Sequence, residues 1–242
     1  MQKERLWERI LTIFLTASVF IFTSNVILFF QESRTSLYPA GEAEAVAAEN
    51  DIQLFSEGMR KVALTFDDGP HPYYTEQLLD GLAERGVKVT FFVTGEHAEL
   101  HPEVILRMKK EGHLVGNHTY SHLQLNDGNR EKFRQELIRT SEILERITGD
   151  TVQYVRPPYG SWDKALEQEL NMFPVLWDVD PLDWCTDNAA CVVKNVTAKV
   201  QENDIILLHD YYDSSITAAL AIVDELLSEG YVFVTVEEIL FD

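Results

Sequence analysis

From Lys61 to the end of the chain, short apolar runs alternate with polar, turn-rich segments. The runs fall at Val62–Phe66, Val89–Val93, His113–Val115, Gln153–Val155, Val175–Trp177, Ile205–Leu208 and Val232–Val236. Each is short, rich in Val, Ile, Leu or Phe and bounded by Gly, Pro or Asp, as buried strands are. Helical periodicity occupies most of the gaps. Tyr74–Arg85 carries Leu78, Leu79 and Leu82 on one face, and Arg130–Ile147 carries Phe133, Leu137, Ile138, Leu144 and Ile147 at helical spacing. Ala218–Ser228 runs to a stop at Gly230. About seven strands alternating with helices predict an α/β fold with a parallel sheet and right-handed crossovers. A closed or nearly closed (β/α) barrel is the first expectation and an open doubly wound sheet the second. In both, the working residues lie just beyond the C-terminal ends of the strands.

The first part of the chain has a different pattern. Lys3, Arg5 and Arg9 precede an uncharged stretch from Ile10 to Phe30. As a helix that stretch spans about 30 Å, the thickness of a bilayer core. It exceeds the apolar core of about 7–15 residues usual in a signal peptide. Basic residues on its N-terminal side predict that the start of the chain stays in the cytoplasm and the remainder faces outward. The expected organisation is a basic start and transmembrane helix over residues 1–31, an acidic flexible tether over 32–59, and the α/β domain over 60–242. The tether is rich in Glu, Ala, Ser and Asn and has little apolar periodicity. A signal peptide cleaved among the small residues Ala43 to Ala48, followed by secretion, is the alternative.

Across 242 residues the formal net charge is −20, which disfavours nucleic-acid binding because a phosphate backbone rewards Lys and Arg. The charge otherwise reads as an acidic, solvated surface. Two cysteines, Cys185 and Cys191, are too few for a disulfide scaffold or a four-cysteine zinc site. Outside the cell they are expected to form a bridge closing a small loop beside Trp184.

Residues with chemical potential do cluster after the apolar runs. Asp67 and Asp68 end the first run and precede Gly69-Pro70, a bend that lets both carboxylates face one pocket. Like charges this close resist joint ionisation unless a cation neutralises one. His118 and His122 follow the third run. Four residues apart on a helical turn, they share a face and can reach one ion. Two His and one carboxylate leave an open coordination position, a set suited to zinc and also to ferrous iron. Arg156-Pro157-Pro158-Tyr159-Gly160 presents Arg and Tyr from a backbone stiffened by proline, and the Arg can orient a carboxylate. Asp183-Trp184 and Leu207-Leu208-His209-Asp210 follow later runs, where a His is a candidate acid or base and a nearby Asp can raise its pKa. Taken singly, each motif is as well explained by a solvated turn, a rigid loop or a structural histidine.

Taken together, in this order, the motifs resemble those of the polysaccharide deacetylases, the NodB-like carbohydrate esterases. The resemblance runs from about Lys61 to the C-terminus and leaves out the first 60 residues. It implies an irregular (β/α) barrel and a metal-dependent hydrolase. Asp68, His118 and His122 are then the ligands of a divalent metal, with Zn2+ the first expectation and Fe2+, Co2+, Mn2+ or Ni2+ also suited. Asp67 is the general base, oriented by Arg156. His209 is the general acid, held protonated by Asp183. The backbone N–H of Tyr159 serves the oxyanion, and Trp184 and Leu207 line the pocket for the acetyl methyl. The division of labour between Asp67 and Asp68 comes from the resemblance alone.

The implied partner is an N-acetylated glycan polymer, with peptidoglycan first and chitin oligomers or another N- or O-acetylated polysaccharide as alternatives. A monomer is expected, attached to the cell membrane through its first helix with the catalytic domain outside. Two rivals stand against this reading. Glycoside hydrolysis needs carboxyls at least about 5 Å apart across the sugar bond and has no use for the His pair. A non-catalytic carbohydrate-binding domain has no use for Asp67 or His209.

Overall fold

The alternation Val62-Ala63-Leu64-Thr65-Phe66-Asp67 sets the layering of the whole domain. Successive side chains of a strand point to opposite faces. Val62, Leu64 and Phe66 join the large cluster shared with the helices, whereas Ala63 packs with Phe92, Tyr154, Val175 and Ile205 in a second cluster. Thr65 and Asp67 lie on the Ala63 face and are also buried. One strand thus has an apolar outer face and a polar inner one.

The computed structural model describes residues 60–241. The expected transmembrane segment of residues 1–31 and the tether of residues 32–59 lie outside the described residues. Among the described residues no helix is long and apolar enough to cross a membrane.

The strands are β1 (Arg60–Asp67), β2 (Thr90–Val93), β3 (Leu114–Asn117), β4 (Tyr154–Val155), β5 (Phe173–Pro174), β6 (Ile205–His209) and β7 (Tyr231–Phe233). They form a seven-stranded sheet in the order β5-β4-β3-β2-β1-β6, with β7 also on β1. Every pairing is parallel. The chain leaving β5 returns to β6 through a bridge between Val179 and Ile206, which curls the sheet toward the expected barrel. The helices are α1 (Tyr74–Arg85), α2 (Gly95–Leu100), α3 (Pro102–Lys110), α4 (Arg130–Thr148), α5 (Ala165–Leu170), α6 (Ala189–Thr197), α7 (Asp213–Ser228) and α8 (Val236–Phe241). Helix α4 shows how sequence becomes packing. Phe133, Leu137 and Leu144 are fully buried along one stripe, and truncating any of them to Ala costs about 2–5 kcal/mol. The helix stops at Gly149, whose φ of 77° is a left-handed cap that glycine adopts without strain.

Two expectations about strands need correction. The run Val175–Trp177 is not β5, which lies at Phe173–Pro174. The carbonyls of Val175 and Leu176 are taken by the guanidinium of Arg156, at 3.1 Å each, so a side chain occupies acceptors a ladder would use. The last strand ends at Phe233, and Val236 already opens α8.

Candidate active site

The sheet register brings the site together. Asp67, the last residue of β1, is paired with His209, the last residue of β6. On the other side of β1, His118 N donates to Val93 O at 2.9 Å, and Arg156 N donates to Asn117 O at 2.9 Å. Five strand ends therefore deliver Asp67, Val93, His118, Arg156 and His209 to one end of the sheet, as expected of parallel α/β folds.

Asp68 turns off β1 with φ 76°, a left-handed conformation uncommon outside glycine, although Asp adopts it more readily than most residues. Its Oδ1 lies 3.4 Å from His118 Nε2 and 3.4 Å from His122 Nε2. One ligand atom from each of the three residues falls within 4.8 Å of the others. Asp68 Oδ1 is buried and has no hydrogen-bond partner, an arrangement that is costly unless something neutralises it. His118 Nδ1 donates to the carbonyl of Arg156 at 2.6 Å, which fixes the tautomer and leaves the Nε2 lone pair facing Asp68. Burial raises the Asp68 pKa, but the facing imidazoles of His118 and His122, when protonated, outweigh it and bring it to about 2. Burial lowers the pKa of His122, which favours its neutral form. An ionised carboxylate and imidazole lone pairs aimed at one point are the donor set of a divalent metal, so the residues fit the expected ion.

The His pair reaches that point by a route other than the expected helical turn. The segment after β3 is an irregular loop in which Thr119 (φ 62°) and His122 (φ 57°) are both left-handed. Side chains that sequence reading overlooked hold this loop. Asn117 Oδ1 accepts from Thr119 N at 2.8 Å, while its Nδ2 donates to Leu137 O at 2.8 Å. Glu136 accepts from Ser121 N at 3.0 Å and from Ser121 Oγ at 2.9 Å. A signal for Glu136 existed: it is a carboxylate on the buried face of α4, three residues after Phe133 and beside Leu137.

Asp67 stands beside the triad but belongs to a different partner. Its Oδ1 accepts from Arg156 Nη1 at 2.9 Å, and its Oδ2 lies 3.8 Å from His118 Nε2. Arg156 is fully buried; besides binding the two carbonyls beyond β5, its Nη1 donates to Thr65 Oγ1 at 2.6 Å. Its guanidinium lies 4.3 Å from the centre of the Phe92 ring. A charge this enclosed persists only because its donors are satisfied and a carboxylate neutralises it.

Across the site, His209 Nδ1 donates to Asp183 Oδ1 at 2.8 Å, while the His209 backbone N–H and Ser215 Oγ both donate to Asp183 Oδ2. Burial works to lower the His209 pKa. The hydrogen bond and charge of Asp183, with the charges of Asp67 and Asp68, outweigh it and raise the pKa to about 9. His209 is therefore a protonated imidazolium near neutral pH, with Nε2 as its free donor. The neighbouring Asp210 does not contact this ring nitrogen.

The remaining expected residues fall around this centre. Tyr159 sits in the 3-10 turn Pro158–Gly160 with φ 59°, its ring 5.0 Å from that of His122. Leu207 is buried two residues before His209, and Trp184 is exposed beside Asp183 on the 3-10 turn Asp183–Cys185. The expected bridge is absent: Cys185 and Cys191 are free, exposed thiols. The six-residue spacing places them on different elements, Cys185 on the turn with Sγ directed to Leu182 O and Cys191 in the first turn of α6.

Comparisons with known proteins converge on this geometry. The family model described as polysaccharide deacetylase matches residues 56–175. The peptidoglycan-N-acetylmuramic acid deacetylase PdaC of Bacillus subtilis is 40% identical over 178 residues, covering 74% of this chain and 38% of that protein. The chain thus spans little more than a third of that relative's length. A chitooligosaccharide deacetylase of Rhizobium leguminosarum bv. trifolii is 38% identical over 71% of this chain and 88% of its own. The solved structure of B. subtilis PdaC superposes with a TM-score of 0.73 at 40% identity, covering 75% of this chain and 90% of that one. On motifs, fold and kinship alike, the chain belongs to the polysaccharide deacetylase family.

Proposed function

We propose that this chain is a metal-dependent hydrolase that removes N-acetyl groups from an extracellular amino-sugar polymer, with peptidoglycan the foremost substrate. One observation carries the reading. Asp68 Oδ1 is buried without a hydrogen-bond partner between two imidazole nitrogens, while a second carboxylate, Asp67, is tied to Arg156 beside it. Family membership and relatives named for deacetylating peptidoglycan support it. The uncharged stretch Ile10–Phe30 behind Lys3, Arg5 and Arg9 supports an anchored protein whose catalytic domain faces outward.

A divalent ion, zinc in the first instance, held by Asp68, His118 and His122 supplies Lewis acidity to water and to the acetyl carbonyl when bound. Asp67 takes a proton from the attacking water. Arg156 keeps Asp67 aimed, because it donates to that carboxylate in a site shielded from solvent. The N–H of Tyr159 serves as the oxyanion donor for the charge that develops on the acetyl oxygen. His209 Nε2 gives its proton to the amide nitrogen as the C–N bond breaks, so the sugar leaves as a free amine and the water oxygen ends in acetate. Asp183 holds His209 in the tautomer that makes this transfer possible. Leu207 and Trp184 provide apolar surface for the acetyl methyl.

The likeness to a chitooligosaccharide deacetylase favours a second substrate, N-acetylglucosamine oligomers. Acetate release from a panel of defined glycans tests both: peptidoglycan fragments acetylated at glucosamine or at muramic acid, chitin oligomers and an O-acetylated polysaccharide. Release from peptidoglycan fragments that stops after metal removal and returns on metal addition is the expected result. No release from any member of the panel by the metal-loaded protein overturns the proposal.

A further inference from the structure

Asp210 is fully buried and plays no part in the chemistry described above. It directly follows His209, yet Asp183 occupies the ring nitrogen of that histidine. The Asp210 carboxylate points elsewhere, under the turn that carries Asp68. A Cβ added at Gly69 would lie 2.3 Å from Asp210 Oδ2 and 2.4 Å from Oδ1, so no side chain fits between this carboxylate and the backbone of the turn. Thr75 Oγ1, itself fully buried near the start of α1, donates to Asp210 Oδ2. The same hydroxyl accepts from His71 N at 2.8 Å. A continuous chain of hydrogen bonds thus runs from the far end of the turn, through the first turn of α1, to the end of β6.

The opposite side of the turn is pinned as well. Thr94 N donates to Gly69 O at 3.1 Å, and His97 Nδ1 binds Asp68 O at 2.7 Å. Asp68, at φ 76°, is therefore held between the end of β2 and Asp210.

We infer that Asp210, acting through Gly69 and Thr75, is a positioning residue that holds the Asp68–His71 turn in the shape that aims Asp68 Oδ1 at His118 and His122. The inference rests on the proposed metal-binding role of Asp68. It also gives the His209-Asp210 pair a joint purpose: adjacent residues of one strand end serve the proton donor and the metal-ligand turn, so the two halves of the site share a single support.

The test is Zn2+ affinity, measured on the full chain by competition with a chromophoric chelator, alongside the thermal midpoint of each metal-free protein. Outer partners of metal ligands typically govern affinity by about 10–100-fold. Asp210→Ala and Thr75→Val should each weaken Zn2+ binding by at least roughly 10-fold. Asp210→Asn, which keeps the shape and an acceptor for Thr75, should restore most of that affinity. Ile105→Val, a core change on α3, should lower the midpoint and leave Zn2+ affinity unchanged. If Asp210→Ala does not fold, Thr75→Val decides. Wild-type Zn2+ affinity in Thr75→Val, or an Asp210→Asn variant as impaired as Asp210→Ala, overturns the inference. Failure of the wild-type protein itself to bind Zn2+ would instead sink the metal-site reading on which it rests.

Discussion

The guanidinium of Arg156 donates to Asp67 at 2.9 Å with both side chains sealed from solvent, and this contact separates two otherwise equivalent aspartates. Asp67 has a cationic partner already. Asp68 has no guanidinium partner, and its Oδ1, without a hydrogen bond, faces two imidazoles. In the proposed mechanism this difference in surroundings makes Asp67 the base and Asp68 the ligand.

From that separation follows a split in mutant behaviour. Asp67→Asn should leave Zn2+ affinity nearly unchanged and lower kcat by about 10²–10⁴-fold, the usual contribution of a general base. His118→Ala should lose both binding and turnover. Parallel Zn2+ titrations and acetate-release rates check this, and near-normal turnover by Asp67→Asn would remove the base from the mechanism.

Arg156 should be irreplaceable even by Lys. Its fork binds Asp67, Thr65 and the carbonyls of Val175 and Leu176 at once, and an ammonium cannot match that geometry. Removing it as Arg156→Ala leaves Asp67 buried and unpaired, a loss of about 3–5 kcal/mol. Urea unfolding of Arg156→Lys and Arg156→Ala measures the effect. A midpoint equal to wild type in either variant contradicts it.

The acid limb of the mechanism has a definite sign. His209 is raised to about 9, so it carries its proton below that pH and loses it above. The rate should therefore fall as pH rises through about 9. Asp183→Asn removes the principal raising partner and should shift this limb downward, as read in the pH profile of kcat. An unshifted limb would mean that another group donates the proton. The same sign holds for stability. The contribution of the raised His209 is complete below its unfolded value of about 6.5 and lost as pH climbs through the folded one.

Metal should act as a ligand of a preformed site, because the donors stand on a turn and a loop next to strand ends, held there by hydrogen bonds with Asn117, Glu136 and His97. Added Zn2+ should raise the thermal midpoint in step with its affinity, by about 2.7 kcal/mol of stability at 100 times Kd. His118→Ala should abolish that response. A metal-free protein that is unfolded at room temperature would contradict a preformed site.

Much of this site was legible in the chain because parallel α/β folds put chemistry immediately after apolar runs. Asp67, His118, Arg156 and His209 follow such runs, and the structure brings all of them to one end of the sheet. What sequence concealed was the packing of side chains on backbone. The Val175–Trp177 run looked like a strand because nothing in it reveals that Arg156 occupies its carbonyls. His118 and His122 looked like neighbours on a helical turn, whereas left-handed residues at 119 and 122, steadied by Asn117 and Glu136, bring them together. Asp210 had no role readable from sequence, because its contact is between its carboxylate and the backbone at Gly69, which adjacency to His209 does not reveal.

Anomalous diffraction from crystals soaked in Zn2+ tests the central claim most directly. The account predicts one strong peak about 2.0–2.2 Å from Asp68, His118 and His122, with Asp67 outside the coordination sphere and still paired to Arg156. A peak elsewhere, or one in which Asp67 coordinates the ion in place of Asp68, contradicts it.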